Sequence, residues 1–377
     1  MKRKITFSLV MLYLLPWGIQ CLVNNLIPIY VDSLSFATEK TIGFVTGLGA
    51  VITAISQIVW AYFAGKSKNK SNVLALSLFL MAVFSFLFLK KDITQTQLFI
   101  FVILFYACYM VHQPLVDSIA SENYTKTKFT FGFFRSFASL GYAVMGMVFT
   151  ILPNSNPSVF FLYTAILAAI SCFISKTVDC RVVEKASENK DKNVFNRVFI
   201  KFLIYTFILY ISSSSILAFF PVYYKSEALG GSVGTFTLLI SIAAFAEWLV
   251  VMLYSKVVNK IKWKYTFMMI AASGILRSFV IFIAPSHQFA ALSLIFNTIW
   301  FGLLGPSVAL YIKENVPEKG NVFAQGVWTV VASGAGTFTG SFLSGLFAES
   351  FGMQPLFLVV ALILTVLTLF TPFLIKN

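Results

Sequence analysis

The 377-residue chain is 58% hydrophobic, 17% aromatic and only 11% charged, with a mean hydropathy of +0.85, whereas a soluble domain carries about 25% charged residues. That composition excludes a soluble globular fold. The formal charge of +14 would point to nucleic acid if the basic residues gathered in one patch, but they are spread over separate polar joints.

About 20 mostly apolar residues cross a bilayer as a helix, and such runs follow one another from end to end. Cutting at the polar joints predicts twelve transmembrane helices. The first six cover about 6–30, 41–65, 72–89, 98–120, 129–152 and 157–175, and the second six about 198–223, 233–255, 265–284, 288–312, 322–347 and 355–374. The longest polar stretch, 176–197, lies between the two sets. The expected fold is therefore an all-α polytopic membrane protein of two pseudo-symmetric six-helix bundles, 1–175 and 198–377, joined by a cytoplasmic linker at 176–197. Met1-Lys2-Arg3-Lys4 ahead of an apolar run has the start of a signal peptide. Pro16, Asn24 and Asn25 interrupt that run and no small-residue cleavage site follows, so it reads as the first membrane helix.

With the N-terminus inside, 22 of the 28 basic residues fall in cytoplasmic joints, and four, Lys40, Lys90, Lys91 and Lys225, fall outside. This positive-inside bias predicts cytoplasmic termini and a cell-membrane location. It also absorbs the net charge. Two bases remain, Arg135 and Arg277, and both lie within apolar spans. The same subtraction on the 14 acids leaves Asp117 and Glu247. A charge inside the bilayer costs at least about 2.5–3.5 kcal/mol, so these four should face a polar cavity or one another. Arg135 is about 9 Å into the fifth span from its cytoplasmic end, close enough to meet Asp117 at the end of the fourth. Glu247 and Arg277 come out about 12 and 18 Å deep. Both pairs could be helix staples, but buried ion pairs seldom add net stability, which favours a role.

Weaker polar signals are Gln20, Asn24, Asn25, Gln57, the run Ser212 to Ser215, and Asn297. Each could line a hydrophilic path or make one interhelical hydrogen bond. His112 is five residues before Asp117 and so points about 140° away around the helix, which reads as a satisfied core or cavity-wall histidine rather than a proton relay. Gly43 with Gly47, and Gly336 with Gly340, have the GxxxG spacing of close helix packing. Pro16, Pro28, Pro114, Pro221 and Pro306 should bend their helices. Cys21, Cys108, Cys172 and Cys180 lack disulfide or metal-ligand spacing, so no metal or cofactor is expected.

Two six-helix halves joined by a basic loop resemble the major facilitator superfamily over nearly the whole chain. The joint Ala61-Tyr62-Phe63-Ala64-Gly65-Lys66-Ser67-Lys68-Asn69-Lys70 is similar to the superfamily's G-x-x-x-D-[RK]-x-G-R-[RK] loop. Gly65 stands where the Asp belongs and Lys68 where a Gly belongs. Pro114-Leu115-Val116-Asp117, then Gly132-Phe133-Phe134-Arg135, then Gly141-Tyr142, look like the fourth and fifth helices of the oligosaccharide:proton symporters. The phenylpropionate-permease-like and nucleoside-symporter branches share that look, and Ala246-Glu247, Arg277, Phe301-Gly302 and Ala324-Gln325 fall where those branches place matching residues.

That resemblance implies solute binding by Asp117 and Arg135, stacking by Tyr142, a contribution from Glu247, and proton release assisted by Arg277. The chemistry fits independently. A carboxylate and a guanidinium accept from and donate to adjacent hydroxyls, and an aromatic ring covers C–H surface. The tenth helix departs from the symporter pattern, with Asn297 and Trp300 where a His and a proton-carrying Glu belong. Asn297 remains a candidate solute contact, and any proton must be carried by Glu247 or Asp117. Two acids and two bases make the site neutral overall, which favours a neutral hydroxyl-bearing solute such as a sugar, glycoside or nucleoside. Proton-coupled uptake by alternating access of a monomeric chain follows as the expected function, with rocking of the two bundles about the solute. Multidrug or metabolite efflux by proton antiport is the alternative that the 42 Phe residues would serve. No H-E-x-x-H, G-x-S-x-G or paired-carboxylate motif supports an enzyme.

Overall fold

The computed structural model describes residues 2–151, 158–178, 194–257, 260–317 and 320–376, and they form helices joined by short turns, with no strand among them. Helices are what a bilayer permits, because each one satisfies its own backbone N–H and C=O groups away from water. Ten helical stretches are individually long and apolar enough to cross a membrane, rather than the twelve expected. The two that fall short are the fourth and the sixth.

The first unit comprises Met1–Phe36 and Ile52–Lys185. It contains α1 (Lys2–Asp32), most of α2 (Glu39–Lys66), α3 (Lys70–Ser85, extended by a 3-10 turn to Leu89), α4 (Gln95–Tyr106), α5 (His112–Asn123), α6 (Phe131–Ile151) and α7 (Val159–Ser175). The expected fourth span, 98–120, is divided. Its apolar run offers no glycine, and Pro114 lies past the break, so the sequence reads as one helix. The chain instead leaves the helix after Tyr106, and Met110 turns through a left-handed conformation, φ 56°. Side chains of α2 accept the consequences: Trp60 Nε1 donates to the Ala107 carbonyl at 2.8 Å and Gln57 Nε2 to the Met110 carbonyl at 3.1 Å. The first bond gives a partner to a carbonyl at the end of α4, and the second adds to the bond that the Gln113 N–H donates to the Met110 carbonyl at 3.2 Å. The sixth span is 17 residues long; the residues before it, 152–157, lie outside the described residues, as do 179–193, most of the expected linker, and with them Cys180.

In this unit α1 packs along α6 and α7, and α3 against α7. Some of the many phenylalanines form the core between these helices. Phe88 and Phe161 stack with centroids 4.1 Å apart, and Tyr30 and Phe105 meet them edge-on.

The second unit comprises Ala37–Val51 and Ala186–Asn377. It takes in the beginning of α2 together with α8 (Arg197–Lys225), α9 (Val233–Val257), α10 (Trp263–Ile283), α11 (His287–Ala291), α12 (Ser293–Asn315), α13 (Asn321–Trp328), a π-helical stretch (Thr329–Gly336), α14 (Thr337–Phe351) and α15 (Met353–Leu374). Here α10 packs on α12 and α15, α12 on α9, and α8 on α14, α15 and the π-helical stretch. The GxxxG reading holds at Gly43, where any Cβ would overlap the Ser341 carbonyl of α14. Both units expose many large apolar side chains, among them Phe173 on α7 and Leu369 and Phe373 on α15. Such a surface suits lipid and would not suit water.

Candidate functional site

In unit 1 the two predicted membrane charges come together. The break after α4 sets the start of α5, which carries Asp117, and α6 carries Arg135. Arg135 Nε lies 3.5 Å from Asp117 Oδ1. Two aromatic residues of α1 complete the group. Tyr13 Oη donates to the same Asp117 oxygen at 2.6 Å, and the guanidinium lies over the Trp17 ring at 5.0 Å and the Tyr13 ring at 6.0 Å. Cation–π contact and the ion pair thus hold Arg135 from two directions. The pair still keeps 38% and 33% of its side-chain surface open. A carboxylate has about four lone-pair sites and a guanidinium five donors, so capacity remains for hydroxyl groups of a solute. An arrangement made purely as a staple would bury it.

Tyr142 is two turns beyond Arg135 on the same face of α6, about 10.5 Å along the helix. Its hydroxyl accepts from Asn25 Nδ2 at 2.8 Å, and Asn25 also donates to the Cys21 carbonyl at 2.8 Å. Asn24 accepts from Tyr109 Oη at 2.8 Å. His112 is buried with its ring against Trp17, centroids 5.0 Å apart at 77°, so it faces α1 as Asp117 does rather than pointing away from it. Tyr13 and Trp17 were missed as site residues. Their signal is periodicity, since Tyr13, Trp17, Gln20 and Asn24 recur at i, i+4, i+7 and i+11 and mark one polar and aromatic stripe on an otherwise apolar helix.

Unit 2 distributes its charges differently. Glu247 is on α9 and half-buried, while Arg277 on α10 is 3% exposed. Both helices pack on α12. Asn297 of α12 is 8% exposed, and Trp300, one turn on, lies with its ring over Gly274 of α10 so closely that any Cβ there would overlap it. On its other side α12 meets α9 through Gly302, beside Val250 and the Glu247 carbonyl. Two residues of the serine run, Ser214 and Ser215, bond within α8, and one of them also bonds to α14. Ser214 and Ser215 each donate to the Ile211 carbonyl at 2.9 Å, and Ser344 of α14 donates to Ser215 at 2.6 Å. Among the described residues no cluster of His, Cys, Asp or Glu is arranged to hold a metal ion.

Comparison with known proteins agrees with this architecture. A model of the MFS_1 like family matches residues 6–359. The chain is 21% identical over 330 residues to the uncharacterized transporter YwbF of Bacillus subtilis (strain 168), covering 85% of this chain and 81% of that protein. Among solved structures it is similar to a mutant of the nucleoside transporter NupG, with a TM-score of 0.88 and 17% identity over 99% of this chain and 100% of that one. It is also similar to a bacterial homolog of the human lysosomal transporter Spinster in an inward-facing, occupied conformation, with a TM-score of 0.77 and 13% identity over 98% and 95% of the two chains. At such identities the likeness to solved structures is one of fold, and the family match adds the rest: the chain is a multi-span membrane transporter belonging to the MFS_1 like family.

Proposed function

We propose that the protein takes up a neutral, hydroxyl-bearing solute, a sugar, glycoside or nucleoside, by proton-coupled alternating access. The observation that carries this reading is the Asp117–Arg135 pair, joined at 3.5 Å yet one-third open. It offers acceptors and donors side by side for adjacent hydroxyls, with no net charge to favour an ion. Tyr142 supplies a ring for an apolar face of the solute, and Glu247 and Asn297 are further solute-binding residues. Similarity to a nucleoside transporter supports the nucleoside end of the class. Glu247, with Arg277 and Asp117, carries the coupling, because Trp300 is packed on Gly274 where a symporter of the resembled type has its proton-carrying acid.

In this reading α4 and α5 together make one crossing and α7 another. The count then returns to twelve crossings in two six-helix bundles, 1–175 and 198–377, joined by 176–197. Both termini are cytoplasmic in a cell membrane, and the protein works as a monomer. The test is the external pH of lightly buffered, de-energised cells expressing the protein while sugars, nucleosides, aromatic acids and lipophilic cations are added in turn. Alkalinisation with one hydroxyl-bearing solute, absent in Glu247→Gln, is expected. Silence across the sugars and nucleosides, with reduced retention of a lipophilic cation, would replace uptake by efflux.

A further inference from the structure

Trp17 has two neighbours of opposite character. The Arg135 guanidinium lies 5.0 Å from its ring centre, and the His112 imidazole meets it edge-on at 5.0 Å and 77°. The two groups are thus second neighbours through one indole. His112 is 1% exposed, and neither Nδ1 nor Nε2 has a partner. It is buried but not satisfied, contrary to the expectation from its place in the sequence, and polar groups left unmade in a low-dielectric interior are rare and costly. The elements packed on α5 are α1, α3, α6 and the 3-10 turn that follows it, Tyr124–Lys126. Most of their titratable groups are engaged elsewhere: Lys70 of α3 bonds to Ser118 and Glu122, Lys126 to Asn123, and Tyr13 of α1 to Asp117. Burial and the Arg135 charge are what act on the imidazole.

An imidazolium needs acceptors for two N–H groups, and His112 meets none among the described residues. A buried charge without partners is costly, and a second cation beside the same indole repels the first. This conformation suits the neutral ring. One event relieves both costs. Solute hydroxyls that take up the Arg135 donors draw the guanidinium off Trp17, which leaves the indole free to turn from His112 and leaves Asp117, on the same helix, without its counter-ion. We propose that His112 is a proton-binding group linked to Arg135 through Trp17, so that protonation of the imidazole and withdrawal of the guanidinium from the indole favour each other. The step is a simple acid–base one, in which the lone pair of the neutral ring takes a proton from water and returns it when Arg135 comes back. This rests on Arg135 holding the solute, and it gives the coupling a residue in unit 1 besides Asp117. Linkage is reciprocal, so solute binding promotes protonation and acidification tightens solute binding.

Two measurements on the full chain in lipid nanodiscs test this. The chain has two histidines, so ¹⁵N-histidine labelling gives two ring signals, which His287→Gln assigns. The His112 ring is followed from pH 8 to pH 5, the window in which histidine ordinarily changes charge, without any solute. At pH 5 the ratio of protonated to neutral ring should rise at least about threefold in Arg135→Gln and return to the wild-type ratio in Arg135→Lys, which keeps the charge. An equal ratio in all three proteins would break the link, and a ring that stays neutral in all three would make His112 a packing group. The second measurement is calorimetric titration with methyl β-D-galactopyranoside and with inosine at both ends of that window. For whichever probe binds, Kd should be at least about threefold lower at pH 5 than at pH 8 in the wild type, and His112→Gln should abolish the difference. The same difference in His112→Gln would overturn the proposal. If neither probe binds, the solute class proposed above fails on its own, and the labelled ring still decides whether His112 answers to Arg135.

Discussion

Unit 1 and unit 2 each place one acid and one base on apolar helices, and they handle them in opposite ways. In unit 1 the acid and base touch, share an aromatic clamp from α1, and stay open to a ligand. In unit 2 the arginine is almost fully buried on α10, the glutamate is half-buried on α9, and α12 packs on both helices. A joined, open pair of opposite charges suits the binding of neutral hydroxyls. A carboxyl set part-way into the packing of a helix suits a group that gains and loses a proton, because its surroundings, and with them the balance between its charged and neutral forms, change as helices move. On this contrast we propose that unit 1 carries the larger share of recognition and unit 2 the larger share of coupling, with Glu247 and Asn297 touching the solute as well and Asp117 taking part in the coupling.

The largest effect should come from unit 1. Arg135→Ala should abolish transport while the protein remains inserted and monodisperse. A hydrogen bond to a charged group is worth about 1.5–3 kcal/mol, so solute Kd should rise about 10- to 150-fold. Normal uptake by this variant would reduce the pair to a helix staple. Glu247→Gln should act differently, removing the pH signal and uphill accumulation while solute exchange across the membrane continues. If exchange fails as completely as accumulation, Glu247 matters to solute binding as much as Arg135 does and the division of labour between the units collapses.

Much of this contrast is legible in the sequence, because charges in a bilayer are rare enough to be found by subtraction. Asp117, Arg135, Glu247 and Arg277 stand out against 11% charged residues. What surrounds them does not. Tyr13 and Trp17 are two aromatics in a chain where aromatics are common, and an aromatic on a lipid face has the same composition as one clamping an arginine. Their periodicity with Gln20 and Asn24 carries the distinction. The break at 107–111 is hidden for a different reason: the residues that stabilise it, Gln57 and Trp60, lie on another helix. Local sequence reports the propensity of a segment, whereas the cost of leaving a helix is decided by which groups donate to the orphaned carbonyls.

A smaller effect tests how tightly unit 2 fixes α12. Gly274→Leu places a side chain where the Trp300 ring lies, and overpacking of this kind destabilises by about 1–3 kcal/mol. A lower melting temperature in detergent should result, and Trp300→Leu in the same chain should restore part of it. A double variant no more stable than the single one would show that the clash is relieved elsewhere and that Trp300 does not anchor α12 to α10.

The smallest expected effect is at Tyr142, and it separates the ring from its hydroxyl. The hydroxyl accepts from Asn25 at 2.8 Å, so Tyr142→Phe removes an interhelical hydrogen bond, worth about 0.6 kcal/mol on average in a membrane protein, or about threefold, and keeps the aromatic surface. Solute affinity should then stay within that factor, and Asn25→Leu should stay in the same range, since it deletes the same bond and in addition only Asn25's contact with the Cys21 carbonyl of its own helix. Tyr142→Leu should cost more, because the ring proposed to cover the solute's C–H surface would be gone. Titration of all three variants gives the Kd values that decide between ring and hydroxyl. A loss of about tenfold in Tyr142→Phe with none in Asn25→Leu would mean that the hydroxyl itself touches the solute, and the polar part of the unit 1 site would then reach at least two helical turns beyond Arg135.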